Sequence, residues 1–469
     1  MTEPIRIANC SGFFGDRISA AREMVEGGPI DVLSGDWLAE LTMLILARQR
    51  MKHGHGYART FMTQMEQVLG TCVDRGIRVV SNAGGLDPQG LGDALAELAV
   101  TLGIPLRVGV VTGDDIAPRV RDLVASGESF TNLDTGETLA SVGVRPLTAN
   151  AYIGGEPITA ALRAGADVVV TGRVTDAALV IGPAAWRHRW DFAAARSGDQ
   201  ATLDALAGAL VAGHVIECGA QVTGGNYAFF TDVPGLEHPG LPIAEVAADG
   251  SSVITKHAGT GGMVTVGTVT AQLLYEVAGP DYLNPDVTAR FDSLHLEQVG
   301  RDRVLISGTV GAAAPDRLKV AMNYLGGFRN SITLVITGMD VEAKADLVLR
   351  TIAGVTLAET RSLDAGALAT ASSLDLRELA AELRPSGVED PATPTQAQSF
   401  LRITVKDDDA EKVGKAFTER VIEATLSSYP GMFPTTPPAP SSPYGVYWPT
   451  TIGRDEVSVE IRVDGEVIA

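Results

Sequence analysis

The 469-residue sequence predicts a doubly wound α/β domain with a mostly parallel sheet, followed by a second, smaller α+β domain. Two observations point to the first domain. Short apolar runs alternate with segments of helical length and composition, as βαβ units do. Each run ends in a small, polar, glycine-bearing cluster, as strands that feed βα turns do. A third observation points to the second domain. Beyond residue 285 the βα units give way to strands of two-residue alternation, such as RVLIS at 303–307.

In chain order, the apolar runs are 5–8, 30–33, 77–80, 106–111 and 168–170. Each is one strand long and apolar on successive residues, which suits strands buried on both faces. Between them, 38–47, 63–72 and 92–102 read as helices, and 203–215 is a further one. Two runs at 243–247 and 252–255 flank Asp249-Gly250, a favoured hairpin turn. A helix is then expected over 264–277. The boundaries read as 1–285 for the α/β domain and 286–469 for the α+β domain. In the latter, 332–344 and 401–412 repeat the order strand, acidic turn, helix, which suggests an antiparallel sheet. The stretch 429–450 holds seven prolines among five aromatic residues and is expected as an irregular wrap.

Composition excludes several classes of function. Asp plus Glu is 57 and Lys plus Arg is 37, a net charge of −20. A chain this acidic is a poor binder of nucleic acid or anionic lipid, so neither partner is expected. No apolar stretch of ~18 residues predicts a membrane span. The opening MTEPIRIANC lacks a basic-then-apolar leader, and three scattered cysteines suit a reducing compartment. A soluble, cytoplasmic, multi-domain enzyme is the expectation, with a small-molecule substrate and, on base rates, a homo-oligomeric state.

The polar clusters hold the candidate site. They are NCSG at 9–12, SGD at 34–36, SNAGG at 81–85, TGDD at 112–115 and TGR at 171–173. In an open parallel sheet the strand carboxyl ends share one edge, and ligands bind there. Ser11, Gly12, Gly84, Gly85, Thr171 and Gly172 allow close backbone approach, and Arg173 can clamp an anion. Asp36, Asp114, Asp115 and Asp176 can act as acids or bases or simply cap helices. Asn82 can donate to a developing oxyanion. Further on, Gly224-Gly225-Asn226 and Lys256-His257-Ala258-Gly259-Thr260-Gly261-Gly262 form a second glycine-rich group. The latter precedes a helix and can cradle a phosphate, although it is not a Walker loop. His214 and Cys218 stand four apart with Glu217 between, so His214 is a candidate proton carrier and Cys218 an alternative nucleophile. No metal is predicted, because that pair needs further ligands. A dinucleotide fingerprint is absent after the first strand, where SGFFGD stands.

Long stretches of the chain resemble the acyclic terpene utilisation AtuA family. They include CSGFFGDR (10–17), GPIDVLSGDWLAELTM (28–43), SNAGGLDP (81–88), TANAYIGG (148–155), GADVVVTGRVTDAALVIGPAAW (165–186), GHVIECGAQVTGGNY (213–227) and LKVAMNYLGGFRN (318–330). The resemblance runs from about residue 4 to about residue 350, and weakly beyond. It implies a bacterial catabolic role in a pathway that handles branched acyl-CoA thioesters by carboxylation, hydration and carbon–carbon cleavage. It carries over no catalytic residues.

The resulting expectation is a lyase or hydratase working through an enolate on a branched acyl-CoA or related carboxylate. No cofactor is predicted beyond the coenzyme A of the substrate. Lys256, His257 and the 259–262 backbone would hold a phosphate, and Asn82 would steady the oxyanion. Asp36, Asp114 or His214 would move the proton. The alternatives are a non-catalytic acyl-CoA-binding subunit of a catabolic complex and an oxidoreductase.

Overall fold

The computed structural model describes residues 3–388 and 390–469. The chain falls into two compact units, Met1–Asn323 with Tyr447–Ala469, and Tyr324–Val446. The expected boundary near residue 285 lies inside the first unit.

The first unit is built on an eleven-stranded sheet. Its centre is formed by β1 (Ile5–Asn9), β2 (Val32–Gly35), β3 (Arg78–Ser81), β4 (Val108–Thr112) and β6 (Val168–Thr171). These run parallel in the spatial order β1, β2, β3, β6, β4. A further short strand, β5 (Thr148–Ala151), pairs outside this sheet with the strand Arg317–Ile336. The hairpin β7 (Pro242–Val246) and β8 (Ser252–Lys256) extends the sheet antiparallel beside β1. The strands Arg303–Ser307 and His295–Gly300 follow it. At the other edge Glu460–Val463 pairs antiparallel with β4. The α/β class is therefore present, but the sheet is mixed, with five parallel strands among eleven. β7 and β8 are joined by a tight hairpin, which makes them antiparallel to each other, and the other flanking strands also pair antiparallel.

Alternate strand residues serve two cores. Ala8, Leu33, Val79 and Val170 face the helices Ala20–Glu26, Arg59–Arg75 and Pro88–Leu102. Ile7, Val32, Val80 and Val169 face Glu156–Arg163, Ala178–His188 and Gln200–Glu217. The helix Arg59–Arg75 shows why such segments are helical. Phe61, Met65, Val68, Leu69 and Cys72 make one buried stripe, and Gly76 at φ +67° ends it in the left-handed conformation. The helix Gln200–Glu217 is different. Asp199 caps it by accepting the Thr202 N–H at 2.9 Å, and it is apolar nearly all round because it is buried on every side. A small antiparallel sheet, Asp281–Leu283, Thr288–Arg290 and Val310–Ala312, also belongs to this unit.

The second unit has an antiparallel sheet that pairs Glu378–Arg384 with Ser399–Asp407, and the latter with the far half of Arg317–Ile336. The helices Val341–Ala353 and Phe417–Glu423 follow the two longer strands, as the repeated strand–turn–helix order leads one to expect. Leu334, Ile352, Leu401, Ile403 and Phe417 are buried together as its core. The stretch 429–450, expected to be irregular, contains most of a strand, Ser442–Gly453. Proline removes a ladder donor but is tolerated on a strand's unpaired side. No described helix is long and apolar enough to cross a membrane.

Candidate active site

A cavity of about 730 Å³ lies in the first unit. The turns after β1, β2, β5 and β6 contribute Gly12, Asp36, Tyr152, Arg173 and Asp176 to its wall. It thus sits where the parallel strands end, which is where such sheets bind ligands. The end of the helix Gln200–Glu217 adds Glu217 and Cys218, and the later segments add Tyr282, Arg317 and Lys319.

Arg173 is the hub of the wall. It is 3% exposed. One guanidinium nitrogen lies 3.0 Å from Asp176 and also donates to the Leu38 carbonyl. The group stacks on the Tyr152 ring, 4.2 Å from its centroid. Asp36 is 7% exposed, and its Oδ1 accepts from Asn82 Nδ2 at 2.5 Å and from the Leu38 N–H at 2.9 Å. Burial, then the charge of Asp176, pushes the Asp36 carboxyl well above the usual range despite Arg173 and Asn82. Glu40 behaves oppositely. Burial would raise it, but Arg173, Lys319 and the Tyr152 hydroxyl, which donates at 2.8 Å, pull it down to about 2. Two carboxyls on one wall therefore differ in proton affinity because cations outweigh burial at Glu40, whereas burial and Asp176 outweigh Arg173 at Asp36.

The wall residue Glu217 belongs to a second pair. His214 Nδ1 lies 3.1 Å from Glu217 Oε1, and both residues are buried. The imidazole is enclosed by Tyr282 and Phe291, with ring centroids 5.1 and 5.7 Å away. Burial pushes Glu217 up to about 7, against the pull of His214. Burial would lower His214, yet Glu217 carries it upward. Both side chains therefore hold a proton more tightly than they would in water. Burial and Glu217 also raise the Cys218 thiol, which stays protonated and is a poor nucleophile there.

The sequence candidates separate into three groups. Gly12, Asp36 and Arg173 line the cavity. Asn82, Asp114, His214, Ser11, Gly84, Gly85, Thr171 and Gly172 do not line it. Asn82 spends both ends of its amide, donating to Asp36 and accepting the Trp37 N–H at 2.8 Å. Asp114 accepts the Arg173 N–H and Asn150 Nδ2, both at 2.8 Å, and burial pushes it up to about 7. A Cβ on Gly172 would run into that carboxylate. Ser11 and Thr171 bond to nearby backbone carbonyls, and Gly84 and Gly85 make the tight turn into Pro88–Leu102. The third group is elsewhere. Lys256, Gly259, Thr260, Gly261 and Gly262 line a separate hollow of about 620 Å³. The Lys256 ammonium is already held by the Thr260 carbonyl at 2.9 Å and by Asp302 at 3.5 Å. His257 Nε2 bonds the Met24 carbonyl. Gly224, Gly225 and Asn226 line neither hollow, and Asn226 donates to Gln221.

Glu40, Tyr152, Tyr282, Arg317 and Lys319 were not singled out from the sequence, because topology brings them in from far away. Tyr152 and Lys319 do sit in TANAYIGG and LKVAMNYLGGFRN, so the family-like stretches carried a signal that residue chemistry alone did not. No curated protein and no solved structure matches the chain. The family model of the acyclic terpene utilisation family protein AtuA matches residues 5–463, nearly the whole sequence, and the chain belongs to that family.

Proposed function

We propose that the cavity is the active site of an enzyme that acts on a branched acyl-CoA thioester or a related carboxylate by acid–base chemistry next to the carbonyl. One observation carries this reading. Asp36 and Glu217, both buried and both raised in proton affinity, line one cavity with the Arg173 cation. Family membership adds a role in acyclic terpene utilisation.

A protonated carboxylic acid in a dry site donates a strong hydrogen bond to a carbonyl oxygen and steadies the charge of an enolate. Asp36 is suited to that part. An ionised Glu217 takes the proton from the carbon beside the carbonyl, and the C–H electron pair passes into the enolate. When the enolate collapses, the hydroxyl on the next carbon departs with the proton that Glu217 holds, as water. Glu217 is then a carboxylate again, and the reverse course is hydration. Lys319 and Arg317, half-exposed on the same wall and paired there with Glu40 and Glu128, offer positive charge for the phosphates of coenzyme A. This chemistry needs no cofactor beyond the coenzyme A of the substrate.

The test is turnover of branched enoyl-CoA and hydroxyacyl-CoA substrates by the wild type, Glu217→Gln and Asp36→Asn. Each variant is expected to lose kcat by about 10²- to 10⁴-fold while acyl-CoA still raises the unfolding midpoint. Ligand stabilisation without turnover in the wild type would favour the non-catalytic subunit instead. Absence of any response to acyl-CoA would end the thioester reading.

A further inference from the structure

A second trough in the first unit is chemically unlike the first. It measures about 660 Å³ and runs beside the helix Val120–Ala125 and the turn that follows residue 143. Val120, Val124, Leu139 and Leu147 give it an apolar floor. Arg50, Arg121 and Arg145 stand on its walls, and Asp115 is the one carboxylate among its described lining residues. A smaller hollow of about 270 Å³ shares Arg50, Asp115 and Leu147 with it and extends the apolar surface to Met51 and Leu86. Arg50 donates to the Leu86 carbonyl at 3.4 Å. Arg121 and Arg145 have no ion pair or hydrogen bond among the described residues. The trough is therefore a locally cationic place on a chain of net charge −20.

This trough is distinct from the cavity described above. Arg50 is ten residues after Glu40 on the helix Glu40–His53, or about 15 Å along its axis. The two sets of lining residues have no member in common.

We propose that the trough is a second ligand site, for a small molecule whose apolar chain ends in a carboxylate or a phosphate. The guanidinium fork matches the oxygens of either group, and two forks without protein acceptors leave their donors to a ligand. The apolar floor takes the chain, which removes hydrocarbon from water and sets the direction of binding. A neutral molecule of the same shape gains only the second contribution.

Isothermal titration of the wild type and of an Arg121→Ala/Arg145→Ala double variant tests this, with decanoate, decyl phosphate and decanol as probes below their micelle concentrations. At least one anion is expected to bind the wild type about tenfold or more tighter than decanol, and the double variant is expected to lose about that factor. The ranking of decanoate and decyl phosphate identifies which anion the forks prefer. Equal anion affinity in the wild type and the variant overturns the proposal, because the probe then binds elsewhere. Equal affinity for decanol and both anions, or no binding of either anion, overturns it too. Both arginines are exposed, so the double variant keeps the fold and its loss of affinity locates the probe in the trough.

Discussion

Glu217 is the last residue of its helix and His214 stands one turn before it, so the two face each other inside the core. A proton shared by such a pair responds to removal of either partner. The imidazole lowers the proton affinity that burial gives Glu217. His214→Phe is therefore expected to move the Glu217 limb of the pH–rate profile of kcat/KM upward from about 7. A limb that stays in place would show that His214 only fills space. Asp114 allows a stability test. Its carboxyl titrates at the ordinary 3.8 when unfolded and at about 7 when folded. Between those values the native state keeps a proton that the unfolded chain has lost, so this group's contribution to stability is full below the lower value and is lost as pH rises to the upper one. Asp114→Asn keeps an acceptor for the Arg173 N–H and removes the titration. Denaturant unfolding at several pH values is expected to show a flatter decline in the variant, and an unchanged slope would contradict the assignment.

Among the elements, the turn after β1 and the end of the helix Gln200–Glu217 come into close backbone contact. A Cβ on Gly12 would collide with the Cys218 carbonyl carbon and lie 2.7 Å from its oxygen. Gly12→Ala must push these segments apart, and is expected to cost roughly 1 to 3 kcal/mol and to widen the cavity they share. Gly54 makes the contrast. It ends the helix Glu40–His53 at φ +82° with nothing within 4 Å of a Cβ. Gly54→Ala meets only the left-handed backbone penalty, about 1 kcal/mol. Chemical denaturation of both variants checks the order; a larger loss at Gly54 would refute the close packing at Gly12. The same comparison shows what was legible beforehand. The alternation of apolar runs and helices located all five parallel strands to within two residues at each end, because each carries its own local pattern. It also located the turns after β1, β2 and β6 that border the cavity. The antiparallel flanks were not legible, since Glu460–Val463 joins the sheet by pairing with β4, some 350 residues earlier. The glycine loop 256–262 looked like a phosphate cradle because composition does not reveal that Lys256 is already paired.

Across the whole molecule, charge is the property that no local description contains. The net charge is −20, and most of the ion pairs bridge partly exposed side chains, for example Arg196 with Glu156 and Arg361 with Glu342. Exposed pairs contribute little each, about 0 to 1 kcal/mol, whereas the excess of carboxylates repels over the whole surface. Raising ionic strength from about 0.01 M to about 0.15 M shortens the screening length from about 30 Å to about 8 Å. That removes repulsion between distant carboxylates but leaves contacts of 3 Å largely intact. The unfolding midpoint is therefore expected to rise by a few degrees over that range, since ~1 kcal/mol corresponds to ~2–4 °C for a chain of moderate size. Calorimetry in sodium chloride measures it. A falling midpoint would mean that the local pairs outweigh the long-range repulsion.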